Sequence, residues 1–289
     1  MKIGLAGLGR MGGGIRERLR RAGHEVVGYD LDAELRDADS LETMVEALDP
    51  PRTVWLMLPA GEATESAFQA LLNLLSVGDL VIEGGNSRYT DSIRRAGQAA
   101  ERGLRFLDCG VSGGVWGLEH GYCVMVGGAA DAFADAEPLF AALALEGGYA
   151  HLGPNGAGHY VKMVHNGIEY GLMQAYAEGF ELLDAYDEEL DLAEIAGLWQ
   201  QGSVVRSWLL ELAERALAGD PALSHIQPYV EDSGEGRWTV IEGVERGVPV
   251  DVIAGSLWAR FASRGEHSFA LRLLAALRNE FGGHAVREA

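Results

Sequence analysis

Lys2 to Gly12 reads KIGLAGLGRMG, a short apolar run that meets Gly7, Gly9 and Gly12 at once and then continues as a helix-compatible stretch. In a strand-turn-helix of this kind the first glycine makes the tight turn and the second lets a pyrophosphate approach the backbone. The third packs the helix on the strand, and the phosphate sits at the helix N-terminus. The next apolar run, His24 to Tyr29, ends in Asp30, 18 residues beyond Gly12. A carboxylate at that strand end accepts hydrogen bonds from adenosine ribose hydroxyls and repels a ribose 2′-phosphate, so NAD is favoured over NADP. The plainer alternative is that Asp30 or Asp32 only caps the following turn. Arg10 is either a phosphate partner or a solvated surface residue. The full set of cofactor contacts expected is Gly7, Leu8, Gly9, Arg10, Met11, Gly12 and Asp30, with Leu58, Pro59, Ala60 and Asn86 from later strand ends.

Outward from this stretch, apolar runs at 2–6, 25–29, 53–58, 79–83, 104–108, 122–127 and 149–152 alternate with amphipathic stretches near 11–22, 62–75, 88–102 and 131–144. That rhythm predicts parallel strands joined by crossover helices. After Pro154 the periodicity becomes helical, beginning with a long helix over about 156–187. The expected architecture is an α/β chain: a Rossmann-type doubly wound sheet over 1–154, then an all-α domain over 155–289 for substrate binding and oligomerisation. Gly167, Gly171, Ala175 and Gly179 recur every four residues on the long helix, a small-residue ridge that lets another helix approach.

A length of 289 residues is enough for two domains. With a formal net charge of -20 the chain repels phosphate polymers and anionic bilayers, which excludes general nucleic-acid and membrane-surface binding. An anionic substrate therefore needs local positive charge. Cys109 and Cys123 are too few for a disulfide framework and read as buried thiols in a reducing compartment. With no membrane-length apolar run and no signal sequence, a soluble, cytoplasmic protein is expected.

On the long helix, Lys162, His165, Asn166, Glu169 and Tyr170 fall at i, i+3, i+4, i+7 and i+8, one face on which Lys162 and Glu169 stand about 10 Å apart along the axis. A polar stripe is ordinarily a solvated face. This one follows GPNGAG, mixes titratable types, and contains a lysine in a chain that otherwise uses arginine: Lys2 and Lys162 are its only lysines. Arginine does not lose its proton in proteins, whereas a desolvated lysine serves as a base near neutrality. Two loops complete the candidate site. EGGNS at 83–87 offers Asn86, and CGVSGGVWG at 109–117 offers Ser112 with the unhindered amides of Gly113 and Gly114. Ordinary strand-to-helix turn chemistry is the competing explanation of both.

GLGRMG, VIEGGNSRYTDSIRR, GVSGGVWG, GAGHYVKMVHNGIEYGLMQ, GEGRW and GVPVDVIAGSLWARFAS together resemble the 6-phosphogluconate dehydrogenase family in its short-chain, NAD-preferring form, across essentially the whole chain. The resemblance implies Lys162 as general base and acid and Glu169 as the acid that protonates the product carbon. It also implies that Asn86, Ser112, Gly113, Gly114, His165, Asn166 and Tyr170 hold a small sugar acid, that Arg260 contacts its phosphate, and that the chain forms a homodimer or homotetramer. The sequence departs from longer members in two ways. Ser233 and Glu235 stand where those members grip phosphate with a lysine and a hydroxyl residue, and the chain stops at 289 without their basic tail.

The expected reaction is oxidative decarboxylation of 6-phosphogluconate to ribulose 5-phosphate and carbon dioxide with reduction of NAD, in the pentose phosphate pathway. No clustered His/Cys/Asp set calls for a metal. Three alternatives stay open: a β-hydroxyacid dehydrogenase that does not decarboxylate, a non-catalytic dinucleotide-sensing module, and an enzyme acting on phosphate-free gluconate.

Overall fold

The computed structural model describes residues 1–265 together with 272 and 273; the rest of the expected second domain lies outside the described residues. The chain order is β1 (Lys2–Ala6), α1 (Arg10–Arg21), β2 (Glu25–Tyr29), α2 (Leu41–Glu46), β3 (Thr53–Leu56), α3 (Glu62–Leu74), β4 (Leu80–Glu83), α4 (Tyr89–Glu101) and β5 (Arg105–Ser112). A 3-10 turn (Gly114–Trp116) and α5 (Gly117–His120) lead into β6 (Tyr122–Gly128), α6 (Ala130–Leu143) and β7 (Ala144–Gly153). The helices α7 (Ala157–Asp184), α8 (Leu192–Trp199), α9 (Trp208–Gly219), α10 (Glu235–Arg246) and α11 (Asp251–Ser263) follow. The chain divides into two compact units, Met1–Asn166 and Gly167–Ala289.

In the first unit the seven strands form one sheet in the order β2-β1-β3-β4-β5-β6-β7. The chain reverses direction across the sheet at β1, so the carboxyl ends of β1 and β3 border the crevice where open α/β sheets take ligands. Alternate strand residues feed two cores. Ile3, Leu5, Trp55, Ile82 and Leu107 pack with Ile15 and Leu19 of α1 and Leu139 and Phe140 of α6. Ala6, Val54, Leu56, Val81 and Phe106 pack with Met44 of α2, Phe68 and Leu71 of α3 and Ala99 of α4. Both faces are thus covered, as a doubly wound sheet requires.

The structure differs from the sequence expectations at three places. β6 pairs antiparallel with β5, because the segment between them is too short for a crossover helix that returns the chain to the starting edge. β7 pairs parallel with β6, so these two strands run against the first five. The second difference is Cys123, which is exposed while Cys109 is buried. Tyr122 and Val124 take the inward positions of β6 and the strand's two-residue period turns Cys123 outward. Burial pushes the Cys109 thiol well above its ordinary value, with the Asp108 charge adding to the effect. The third difference is α2, a short helix with a Ser40–Thr43 capping box, in a stretch read as connecting chain.

In the second unit α8 packs with α9 and α10 with α11. The small-residue ridge of α7 works over its first half. A Cβ at Gly167 would lie 2.7 Å from Thr239 of α10, and one at Gly171 would lie 3.3 Å from Val252 of α11. Gly179 has open space beside it.

A buried charge network supports the carboxyl end of β4. Glu83 is fully buried and accepts from the Arg95 guanidinium. Arg95 also donates through Nε to Glu65 at 2.9 Å, and Arg94 donates to the same carboxylate at 2.6 Å. The hydrogen bond from Arg94 is the main cause that pulls Glu65 from 4.5 to about 2, against the desolvation that opposes it. A carboxylate whose folded value lies below its unfolded value stabilises fully above the unfolded value and loses that contribution as pH falls through the folded one. Glu65→Gln is expected to lower stability near pH 7 by on the order of 1–2 kcal/mol, discounted for partial solvent exposure. Urea unfolding at pH 7 and at pH 3 checks this: the wild type should lose more stability than the variant on acidification, and equal losses contradict it.

Candidate active site

The glycine loop forms as its residue types demand. Gly7 has φ +93, and a Cβ there would lie 2.3 Å from the Met57 carbonyl oxygen. Gly12 brings α1 onto the loop so closely that a Cβ would lie 1.9 Å from the Gly7 oxygen. Gly9 differs from both: its φ is −60 and a Cβ would meet nothing within 4 Å. No contact among the described residues requires glycine there, and the space in front of it opens onto the start of α1. That helix has no side-chain cap and no acidic residue in its first turn, so its free N–H groups suit an anion.

Asp30 sits one residue beyond β2 and accepts from Leu8 N at 2.6 Å and Asp32 N at 2.9 Å. It therefore pins the glycine loop as well as its own turn. Burial raises its pKa, but hydrogen bonds from the Asp32, Leu8 and Leu31 amides and the nearby Arg16 charge outweigh that and hold the carboxyl below its ordinary value. An ionised carboxylate has about four acceptor sites, so capacity remains for ribose hydroxyls. Leu8 is buried, Met11 and Leu58 are partly covered, and Arg10, Pro59 and Ala60 are exposed. This residue set fits a dinucleotide.

Gly84 and Gly85 of the EGGNS loop are explained by packing, since a Cβ at either would collide with the Trp55 indole nitrogen (2.1 Å) or the Leu58 oxygen (2.5 Å). Neither takes a positive φ, so packing rather than turn geometry accounts for them, while Asn86 beside them is exposed. In the second loop Gly113 and Gly114 have φ +135 and +54, conformations that favour glycine, and Ser112 is the last residue of β5.

The first turns of α7 lie directly on β5 and β6. A Cβ at Gly158 would lie 2.5 Å from the carbonyl oxygens of Asp108 and Met125, and a Cβ at Gly110 would lie 2.4 Å from the Lys162 Cβ. Four helical residues rise about 6 Å and two strand residues about 6.6 Å, so α7 keeps step with β5. Lys162 is only 7% exposed, whereas Val161 and Ile168 are exposed. The solvated-face reading of the polar stripe therefore fails for its first residue. His165 Nδ1 pairs with Asn166 Oδ1 at 2.9 Å.

The same helix continues into the second unit, where Glu169 is partly buried and Tyr170 is buried. Tyr170 OH shares a hydrogen bond with Ser233 Oγ at 3.2 Å and accepts from Ser233 N at 3.3 Å. Gly236 makes room for the ring, since a Cβ would lie 2.4 Å from it. The Arg260 guanidinium stacks 3.5 Å from the Tyr170 ring centroid and donates to the Glu231 oxygen at 2.8 Å. Ser233 Oγ donates to the buried Glu235 carboxylate at 2.7 Å. Tyr170, Arg260, Ser233 and Glu235 thus form one cluster in the second unit, while Lys162 lies against Gly110 of β5 in the first. Sequence reasoning missed Asp108 and Arg95. A carboxylate within or ending an apolar strand, as at 83 and 108, was the available signal that a buried partner exists.

The family model described as the NAD binding domain of 6-phosphogluconate dehydrogenase matches residues 2–153, and that of the 6-phosphogluconate dehydrogenase C-terminal domain matches 158–280. The YqeC protein of Bacillus subtilis, whose own 6-phosphogluconate dehydrogenase name is provisional, is 44% identical over 100% of both chains. A Haloferax volcanii protein named NAD(+)-dependent, decarboxylating 6-phosphogluconate dehydrogenase is also 44% identical, over 99% of this chain and 98% of its own. Among solved structures, the Plasmodium falciparum 6-phosphogluconate dehydrogenase, studied as apo protein, with NADP+ and with 6-phosphogluconate, is 28% identical with a TM-score of 0.80. The match covers 100% of this chain and 66% of that one. With a dinucleotide-binding Rossmann sheet, a helical second unit and both family models matched along its length, the chain belongs to the 6-phosphogluconate dehydrogenase family of oxidoreductases.

Proposed function

We propose that the protein converts 6-phosphogluconate to ribulose 5-phosphate and carbon dioxide with NAD as oxidant. The observation that carries this reading is the burial of Lys162 over β5, in a chain whose other lysine is Lys2. An amine removed from water is easier to hold neutral, which is the form that accepts a proton.

Bound NAD would supply the hydride acceptor, held by the loop of Gly7 to Gly12, by Asp30 and by the strand ends at Leu58 to Ala60 and Asn86. Neutral Lys162 takes the proton of the C3 hydroxyl as that carbon is oxidised. As an ammonium it then donates to the C3 carbonyl oxygen and stabilises the negative charge that develops when C1 leaves as carbon dioxide. The resulting enediol is protonated on carbon by Glu169, two helical turns further along α7. Asn86, Ser112, Gly113, Gly114, His165, Asn166 and Tyr170 orient the sugar acid, and Arg260 meets the terminal phosphate. Arg260, already oriented by its stack on Tyr170, supplies the attraction for that phosphate. The same reading carries a homodimer or homotetramer working in the pentose phosphate pathway, and two free cysteines fit a reducing cytoplasm.

Lys162→Arg keeps the charge and removes the base. Turnover of 6-phosphogluconate, followed as NADH absorbance, should fall by about 10³-fold or more while NAD binding persists; near-normal turnover eliminates the mechanism. Asp30→Ala removes the charge that repels a 2′-phosphate. The ratio of kcat/KM for NAD over NADP should exceed one in the wild type and fall by about tenfold or more in the variant. An unchanged ratio removes Asp30 from cofactor choice.

A further inference from the structure

Asp108 is fully buried in the middle of β5 and accepts two backbone N–H groups at the start of α7, from Gly156 at 2.6 Å and His159 at 2.9 Å. It caps this helix from another element, in place of the side-chain cap that a residue just before the helix ordinarily provides. The space for its carboxylate is built in: a Cβ at Gly127, its cross-strand partner, would lie 2.7 Å from Asp108 Oδ1 and 2.7 Å from Gly158 N. His159 is itself 1% exposed, and its Nδ1 shares a 2.7 Å hydrogen bond with the buried Ser92 Oγ of α4. One small polar cluster therefore joins three elements: the strand that ends in Ser112, the helix that carries Lys162, and the helix that follows the Asn86 loop.

The geometry points to Asp108, with His159 and Ser92 behind it, as a positioning residue that fixes the height of Lys162 along β5, where it lies against Gly110. This rests on the reading of Lys162 as the base. The two bonds hold α7 at residues 156 and 159, one turn before Lys162, and Lys162 lies against Gly110, two residues along the strand from Asp108. A helix freed from those bonds slides or tilts on the smooth glycine surface of Gly110, Gly127 and Gly158, and the amine moves with it. A displacement of about 1 Å at a reacting group costs on the order of 100-fold in rate.

The test compares wild type, Asp108→Ala, Asp108→Asn and Lys162→Met, each first checked by thermal melting, for kcat on 6-phosphogluconate and for NADH dissociation constant by fluorescence titration. Asp108→Ala should lose about tenfold or more in kcat while the dissociation constant stays within about twofold, because the dinucleotide loop is built on β1 and α1. Asp108→Asn keeps one acceptor and should recover part of the loss; it also carries the test if the alanine variant does not fold. Wild-type kcat in a folded Asp108→Asn or Asp108→Ala overturns the proposal, as does a loss of cofactor affinity as large as the loss of kcat, which marks general loosening. An inactive Lys162→Met beside a fully active Asp108→Ala sinks the positioning role alone, whereas an active Lys162→Met sinks the reading beneath it.

Discussion

The close seating of the first turns of α7 on β5 and β6 is the constraint on which the rest of the site depends. Gly110, Gly127 and Gly158 remove the side chains that would hold the helix away; any Cβ there would lie 2.4 to 2.7 Å from its nearest neighbour. Loss of side chains costs conformational entropy in a helix and in strands, and what it permits is backbone proximity. The Asp108 carboxylate reaches two α7 amides, and Lys162 is carried over the sheet out of water.

The electrostatics follow from the same economy of groups. A chain of net charge -20 gives an anionic sugar acid no long-range attraction. Positive charge near the functional residues is local and already oriented. The Arg260 guanidinium is stacked on Tyr170 and tethered to the Glu231 carbonyl; Arg95 is spent on Glu83 and Glu65 behind the Asn86 loop. Ser233 and the buried Glu235 lie beside Tyr170, joined by a 2.7 Å hydrogen bond. In the proposed function the selectivity between phosphorylated and free sugar acids falls to Arg260.

The β1-loop-α1-β2 segment was legible in the sequence because each residue type there answers a local demand: positive φ at Gly7, helix contact at Gly12, open space at Gly9. The long helix was legible for the same reason, and the observed span Ala157–Asp184 lies within the one expected. What local pattern does not encode is pairing across distance. An antiparallel β6 follows from how the chain closes after β5, Cys123 is exposed because of the face that register gives it, and Asp108 is engaged by residues about 50 positions later. Lys162 was singled out by its place in a mixed polar stripe after GPNGAG and as a lysine in an arginine chain, and its burial adds a physical reason. The glycines of EGGNS illustrate the converse, a suggestive motif whose explanation at 84 and 85 is packing.

In the proposed function, oxidation at C3 is followed by loss of C1 on the same enzyme. Its most direct test is to supply 6-phosphogluconate labelled with carbon-13 at C1, and to measure labelled carbon dioxide and NADH in the same reaction. One labelled carbon dioxide per NADH, at the earliest times measured, is the predicted result. NADH formed with the label retained in an acid product would contradict it.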